Sequence, residues 1–130
     1  MKKSMIKILM IEDDRIDQMA FERLASTNEL PYKYTFACSI EDARACLHSE
    51  RFDVVLIENS SADRAMLHAI RALPNAPPVI LMVSNQYSET ISSSVGAVEY
   101  VVKDIAGQYL SMLPGMIQQA VQREQLKEIT

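Results

Sequence analysis

The sequence has 130 residues, 48% of them apolar and 23% charged, with a net charge of −4. That length suits one domain with a core large enough to fold without staples, and an acidic balance argues against nucleic acid, whose phosphates need a basic face. The two cysteines, Cys38 and Cys46, fit no metal-ligand spacing and read as reduced thiols of a cytoplasmic protein, and no apolar run approaches the length of a membrane span.

The opening stretch MKKSMIKILMIEDD carries lysines and an apolar run, as a signal peptide does, but the run stops after Ile11 in acids with no small-residue cleavage site. Ile6 to Ile11 instead predicts a buried strand, ended by Glu12, Asp13 and Asp14. Asp14 suits the N-cap of a helix with Ile16, Ala20 and Leu24 on one face and Met19 beside them. Asn28 and Pro31 stop that helix. Tyr32 to Ala37 alternates and is rich in aromatic and β-branched residues, which predicts a more exposed strand. Ser39 and Asp42 form a variant capping box ahead of a helix with Ile40, Ala43 and Leu47 on one face, ending near Glu50.

Phe52 to Asn59 reads FDVVLIEN, and its four consecutive apolar residues predict a strand buried on both faces with Glu58 delivered at its end. A helix with Met66, Ile70 and Leu73 on one face follows, then the buried strand Val79 to Val83, ending at Ser84. The serine-rich stretch Gln86 to Val95 predicts a weak helix at best, ended by Gly96. Val98 to Val102 is the fifth strand, ending at Lys103. Pro114 predicts a single turn over about residues 106–112 and a main helix from Leu113 to Lys127, with Leu113, Ile117 and Val121 toward the sheet.

Strands alternating with helices give an α/β fold with a parallel sheet. Right-handed crossovers put all strand C-termini on one edge, where ligands bind. That edge should collect Glu12, Asp13, Glu58, Ser84 and Lys103. Carboxylates converging there repel: two charges ~5 Å apart at an effective dielectric of ~20 cost roughly 3 kcal/mol. A divalent cation, the Lys103 ammonium or protonation of one acid must relieve this. Oxygen-only ligands favour Mg²⁺, bound weakly here. An acidic turn after the first strand also excludes a dinucleotide or flavin site, which needs N–H groups offered to phosphate.

In the pieces ILMIEDD, FDVVLIE, PVILMVS and GAVEYVVKD, in this order and spacing, the chain resembles the receiver domain of two-component response regulators. The resemblance covers essentially the whole sequence. It implies a doubly wound, flavodoxin-like five-stranded parallel sheet of order 2-1-3-4-5. It implies that Glu12 and Asp13 hold Mg²⁺ with a backbone carbonyl at Ser60, that Ser84 and Lys103 follow the phosphoryl group, and that Tyr100 is the aromatic switch. Glu58 stands where receivers have the phosphoryl-accepting aspartate, and it is one methylene too long. Asn59-Ser60-Ser61-Ala62-Asp63 replaces the family's loop after the acceptor, the segment after Ser84 is short, and Asp104 stands in place of a proline. Asp53 begins the third strand at the wrong edge, and Asp63 lies beyond it.

These departures point to a phosphorylation-independent signalling module that acts through protein contacts and is not an enzyme. Its partners would be a histidine kinase or an output domain of the same chain, with neither nucleic acid nor membrane. The alternative is a Mg²⁺-dependent receiver that still accepts a phosphoryl group from a histidine kinase. A metal-dependent phosphohydrolase would want a second acid two residues after the nucleophile, where the chain has Ser60. Residues 1–130 are expected to form one domain, whose charged last helix leads into a longer parent protein. Lys103 is expected to contact Glu58, directly or through water, when no metal is bound. Met116, Ala120 and Leu126 are expected off the core stripe of the last helix, on a face that could pair two copies.

Overall fold

In the computed structural model, residues 5–58, 70–73, 76–83, 99–104 and 106–129 are described. The elements are β1 (Ile6–Ile11), α1 (Arg15–Thr27), β2 (Tyr32–Ala37), α2 (Ile40–Ser49), β3 (Val54–Glu58), β4 (Val79–Val83), β5 (Glu99–Val102) and α3 (Tyr109–Ile129). The strands form one five-stranded sheet in the order β2-β1-β3-β4-β5, and every pairing is parallel. Ser60, Ser84, Met66, His68, Val98 and the segment 86–96 lie outside the described residues.

Alternation along each central strand splits the core into two layers. Ile8 and Met10 of β1, Val54 and Leu56 of β3, and Ile80 and Met82 of β4 face one side, where Phe21 and Ala25 of α1 and Leu113, Ile117 and Ala120 of α3 cover them. Leu9, Ile11, Val55, Ile57, Leu81 and Val83 face the other, against Ala43 of α2, Phe52 and Ile70. Runs such as VVLI are therefore apolar on both faces because both faces are covered. β2 lies at the edge and is only partly buried in its middle.

The predicted caps are in place. Asp14 accepts from the Ile16 N–H at 2.8 Å, and Ser39 Oγ accepts from the Asp42 N–H at 3.1 Å.

Two helices differ from expectation. The core face of α1 is Gln18, Phe21 and Ala25 with Leu24 alongside, while Ile16 is 76% exposed and Met19 is also exposed. Positions i, i+3 and i+7 still form the buried stripe, but its first member is an amide, so a search for apolar residues alone selects the wrong face. The last helix is also a single element that starts at Tyr109 and runs through Pro114. Asp104 makes this early start possible: its carboxylate accepts from the N–H groups of Gln108 (3.1 Å) and Tyr109 (2.9 Å). Gly107, at φ +78, takes the left-handed conformation that the turn between them requires. The first bonds of the helix are tight, with Leu110 donating to Gly107 and Ser111 to Gln108. Pro114 then removes one helical N–H donor without ending the element.

Leu113 and Ile117 face the sheet as predicted, and Val121 packs against the same layer half-buried. Ala120 is buried and Met116 packs on the core, so neither belongs to an open face; Met112 (57% exposed) and Leu126 (61% exposed) do. With Tyr109 and Leu110 also on the core, the seven core-facing residues Tyr109, Leu110, Leu113, Met116, Ile117, Ala120 and Val121 take up more of the helix circumference than a three-residue stripe predicts.

Candidate functional site

The C-terminal ends of β1 and β3 lie side by side, with Ile11 in register with Ile57. The residues that follow the apolar runs are thereby brought together. One carboxylate oxygen from each of Glu12, Asp13 and Glu58 lies within 4.8 Å of the others. Glu12 is buried, Asp13 exposed and Glu58 intermediate.

Glu12 is the most constrained of the three. It is 1% exposed. Its N–H extends the sheet by donating to the Ala37 carbonyl at 3.0 Å, and its own carbonyl accepts from Gln18 Nε2 at 2.6 Å. Its carboxylate accepts from the Asp14 N–H at 3.2 Å and from Lys103 Nζ at 3.3 Å. Burial raises its pKa from 4.5 to about 7, with Lys103 and the Asp14 N–H pulling the other way.

The Lys103 ammonium meets Asp17 at 2.7 Å as well as Glu12 at 3.3 Å. Where the sequence predicts Glu58 as its partner, the structure gives it Glu12 and, more closely, Asp17 on the first turn of α1. Burial alone would lower the Lys103 pKa, but the hydrogen bond to Asp17 and the charges of Glu12 and Asp17 hold it above the ordinary lysine value. The lysine has little freedom. Its N–H continues the ladder by donating to the Val83 carbonyl at 2.8 Å, the Asp104 cap follows immediately, and its Nζ stands 6.0 Å from the centre of the buried Tyr109 ring. Burial pushes the Tyr109 hydroxyl up to about 12, Lys103 acting against it.

Sequence patterning missed Gln18 and Asp17. Gln18 alone had a signal: an amide within a buried helical stripe needs a buried partner, and Glu12 supplies it. Tyr100 lies on β5, 38% exposed. Ser60 and Ser84 are outside the described residues, so the structure places neither.

The three-membered group consists of carboxylates alone. Hard oxygen donors of this kind suit Mg²⁺, which retains several waters and needs only one or two carboxylates. The buried, reluctantly ionised Glu12 gains most from a cation.

No family model matches the sequence, and no curated protein matches it. Solved structures do. The signal receiver domain of an HD-domain-containing protein from Pseudomonas fluorescens superposes with a TM-score of 0.78 at 20% identity, over 98% of this chain and 95% of that one. The chain has the fold of a receiver domain. The receiver domain of a sensor histidine kinase from Pseudomonas aeruginosa, which has a magnesium ion coordinated in its active-site cleft, matches with a TM-score of 0.74 at 19% identity, over 91% of this chain and 98% of that one. The chemotaxis response regulator CheY4 of Vibrio cholerae matches with a TM-score of 0.70 at 17% identity, over 88% of this chain and 99% of that one. No helix among the described residues is long and apolar enough to cross a membrane.

Proposed function

We propose that this chain is a receiver-like module of a two-component or phosphorelay system, a pseudo-receiver that signals through protein contacts without being phosphorylated and without acting as an enzyme. The observation that carries the reading is the convergence of Glu12, Asp13 and Glu58, with Lys103 on Glu12, at the C-terminal edge of a sheet ordered β2-β1-β3-β4-β5. That edge is where open α/β sheets bind ligands. Glu12 and Asp13 would hold Mg²⁺, and Ser60, outside the described residues, is where the resemblance puts a backbone carbonyl ligand. Ser84, Lys103 and Tyr100 correspond to the groups that follow the phosphoryl group in receivers. A bound Mg²⁺ would neutralise charge on phosphoryl oxygens. Its neighbour Glu58 reaches one methylene too far to take up a phosphoryl group, since in-line transfer tolerates ~1 Å of misplacement poorly. Free thiols at Cys38 and Cys46 accord with a cytoplasmic setting.

The test is intact mass after incubation with a small phosphodonor and Mg²⁺. The wild type is expected to keep its mass, and Glu58→Asp to gain one phosphoryl group. A phosphorylated wild type would instead establish the Mg²⁺-dependent receiver that accepts phosphate from a histidine kinase.

The partner surface in this reading is the open flank of α3. Met112 and Leu126 are exposed, and their separation in sequence returns them to nearly the same side of a helix. The two stand roughly 21 Å apart along the helix axis, as separate apolar contacts for an output domain, a kinase or a second copy of the chain. Leu126→Glu is expected to weaken self-pairing measured by light scattering; a wild type that stays monomeric at high concentration removes the homodimer.

A further inference from the structure

Asp17, the closest partner of Lys103, has none of the roles assigned so far. Asp17 lies on the first turn of α1, four residues after Asp13. The Gln18 amide beside it is buried and anchored on the Glu12 carbonyl at 2.6 Å, which fixes α1 against the end of β1. Lys103 is held from the opposite side by the Val83 carbonyl and the Asp104-capped turn. The two side chains therefore meet between fixed supports. The contact to Asp17, at 2.7 Å, is shorter than the 3.3 Å contact to Glu12.

We propose that Asp17 is a positioning residue of the carboxylate site, holding the Lys103 ammonium to the α1 side so that the Glu12 and Asp13 carboxylates can take a divalent cation. The inference rests on the Mg²⁺ reading of the preceding subsection. Among the described residues, the Lys103 ammonium is shared between Glu12 and Asp17, beside the Asp13 and Glu58 carboxylates that group with Glu12. While Asp17 shares its charge, Lys103 neutralises Glu12 only in part and the cluster keeps negative charge for a cation. Without Asp17 the ammonium turns wholly to Glu12 and its neighbour Glu58, and a cation must displace it. The side chain acts on the metal through Lys103 and touches no metal itself.

The experiment is calorimetric titration of the intact chain with MgCl₂ alone, at pH ~8 so that Glu12 is ionised. Asp17→Asn is expected to weaken Mg²⁺ binding about tenfold, with Asp17→Glu restoring most of it. In a Lys103→Met background the same Asp17→Asn change is expected to leave the affinity within about twofold, because the group through which it acts is gone. Lys103→Gln serves as the background if Lys103→Met does not fold. An unchanged affinity in Asp17→Asn, or an equal loss with and without Lys103, overturns the positioning role and leaves the Mg²⁺ reading standing. A wild type that binds no Mg²⁺ overturns the Mg²⁺ reading, and this inference with it.

Discussion

Metal-free protein is expected to lose about 3 kcal/mol of stability as the pH rises from 4.5 to about 7, because of Glu12. Its folded-state pKa is raised by burial, so across that window the native protein keeps a proton that the unfolded chain releases. Stability from this group is therefore greatest below 4.5, falls through the window and is level above it. The other perturbed carboxyls do not mask the slope. The Lys7 hydrogen bond lowers the Glu50 pKa, and the Tyr109 N–H lowers that of Asp104. Their stabilisation is lost only as pH falls below the window. The raised Lys103 pKa acts on the alkaline side. Denaturant unfolding in a chelator at several pH values is the measurement, with Glu12→Gln expected to flatten the profile and Mg²⁺ to offset the loss. A level wild-type profile over this range would refute the assignment to Glu12.

Phe21→Ala is expected to destabilise the protein by ~3–5 kcal/mol, and Ile16→Ala by less than ~0.5 kcal/mol. Phe21 has no exposed surface. It stacks on Tyr32 with ring centres 6.1 Å apart and meets Tyr34 edge-on at 5.5 Å, so its removal leaves a cavity beneath β2 that a packed core closes only in part. Ile16, largely in solvent, has little transfer energy to lose. Equal losses in the two variants would mean that α1 presents the other face to the sheet.

The sheet was legible in the sequence because strands covered on both faces have no room for polar residues: Ile8 to Ile11, Val54 to Ile57 and Val79 to Val83 are all buried. Where those runs end in Glu12 and Glu58, the parallel arrangement alone brings the carboxylates together. Asp17 and Gln18 were not legible in the same way. Their roles depend on how α1 is rotated, and the apolar count favoured Ile16 and Met19, which are exposed. The closest partner of Lys103, Asp17, was missed for a related reason. Charge balance shows that an ammonium must serve the acids, but only the seating of α1 decides which acid lies nearest. Pro114 misled because the strength of the Asp104 cap, one carboxylate accepting two backbone N–H hydrogen bonds, outweighs one missing donor inside the helix.

The place of β1 in the sheet bears on how the chain is made. β1 is synthesised first of the strands, yet it pairs with β2 on one side and β3 on the other. During translation the β1-α1-β2 unit can close early, since its strands are close in sequence. One edge of β1 then stays bare until residues 54–58 leave the ribosome. An apolar strand with an open edge is a template for pairing with other chains. When β3 slots in, the bare edge passes to β3 until β4 pairs with it, and then to β4 until β5 does, so the nascent chain's self-association hazard lasts until the final strand is in place.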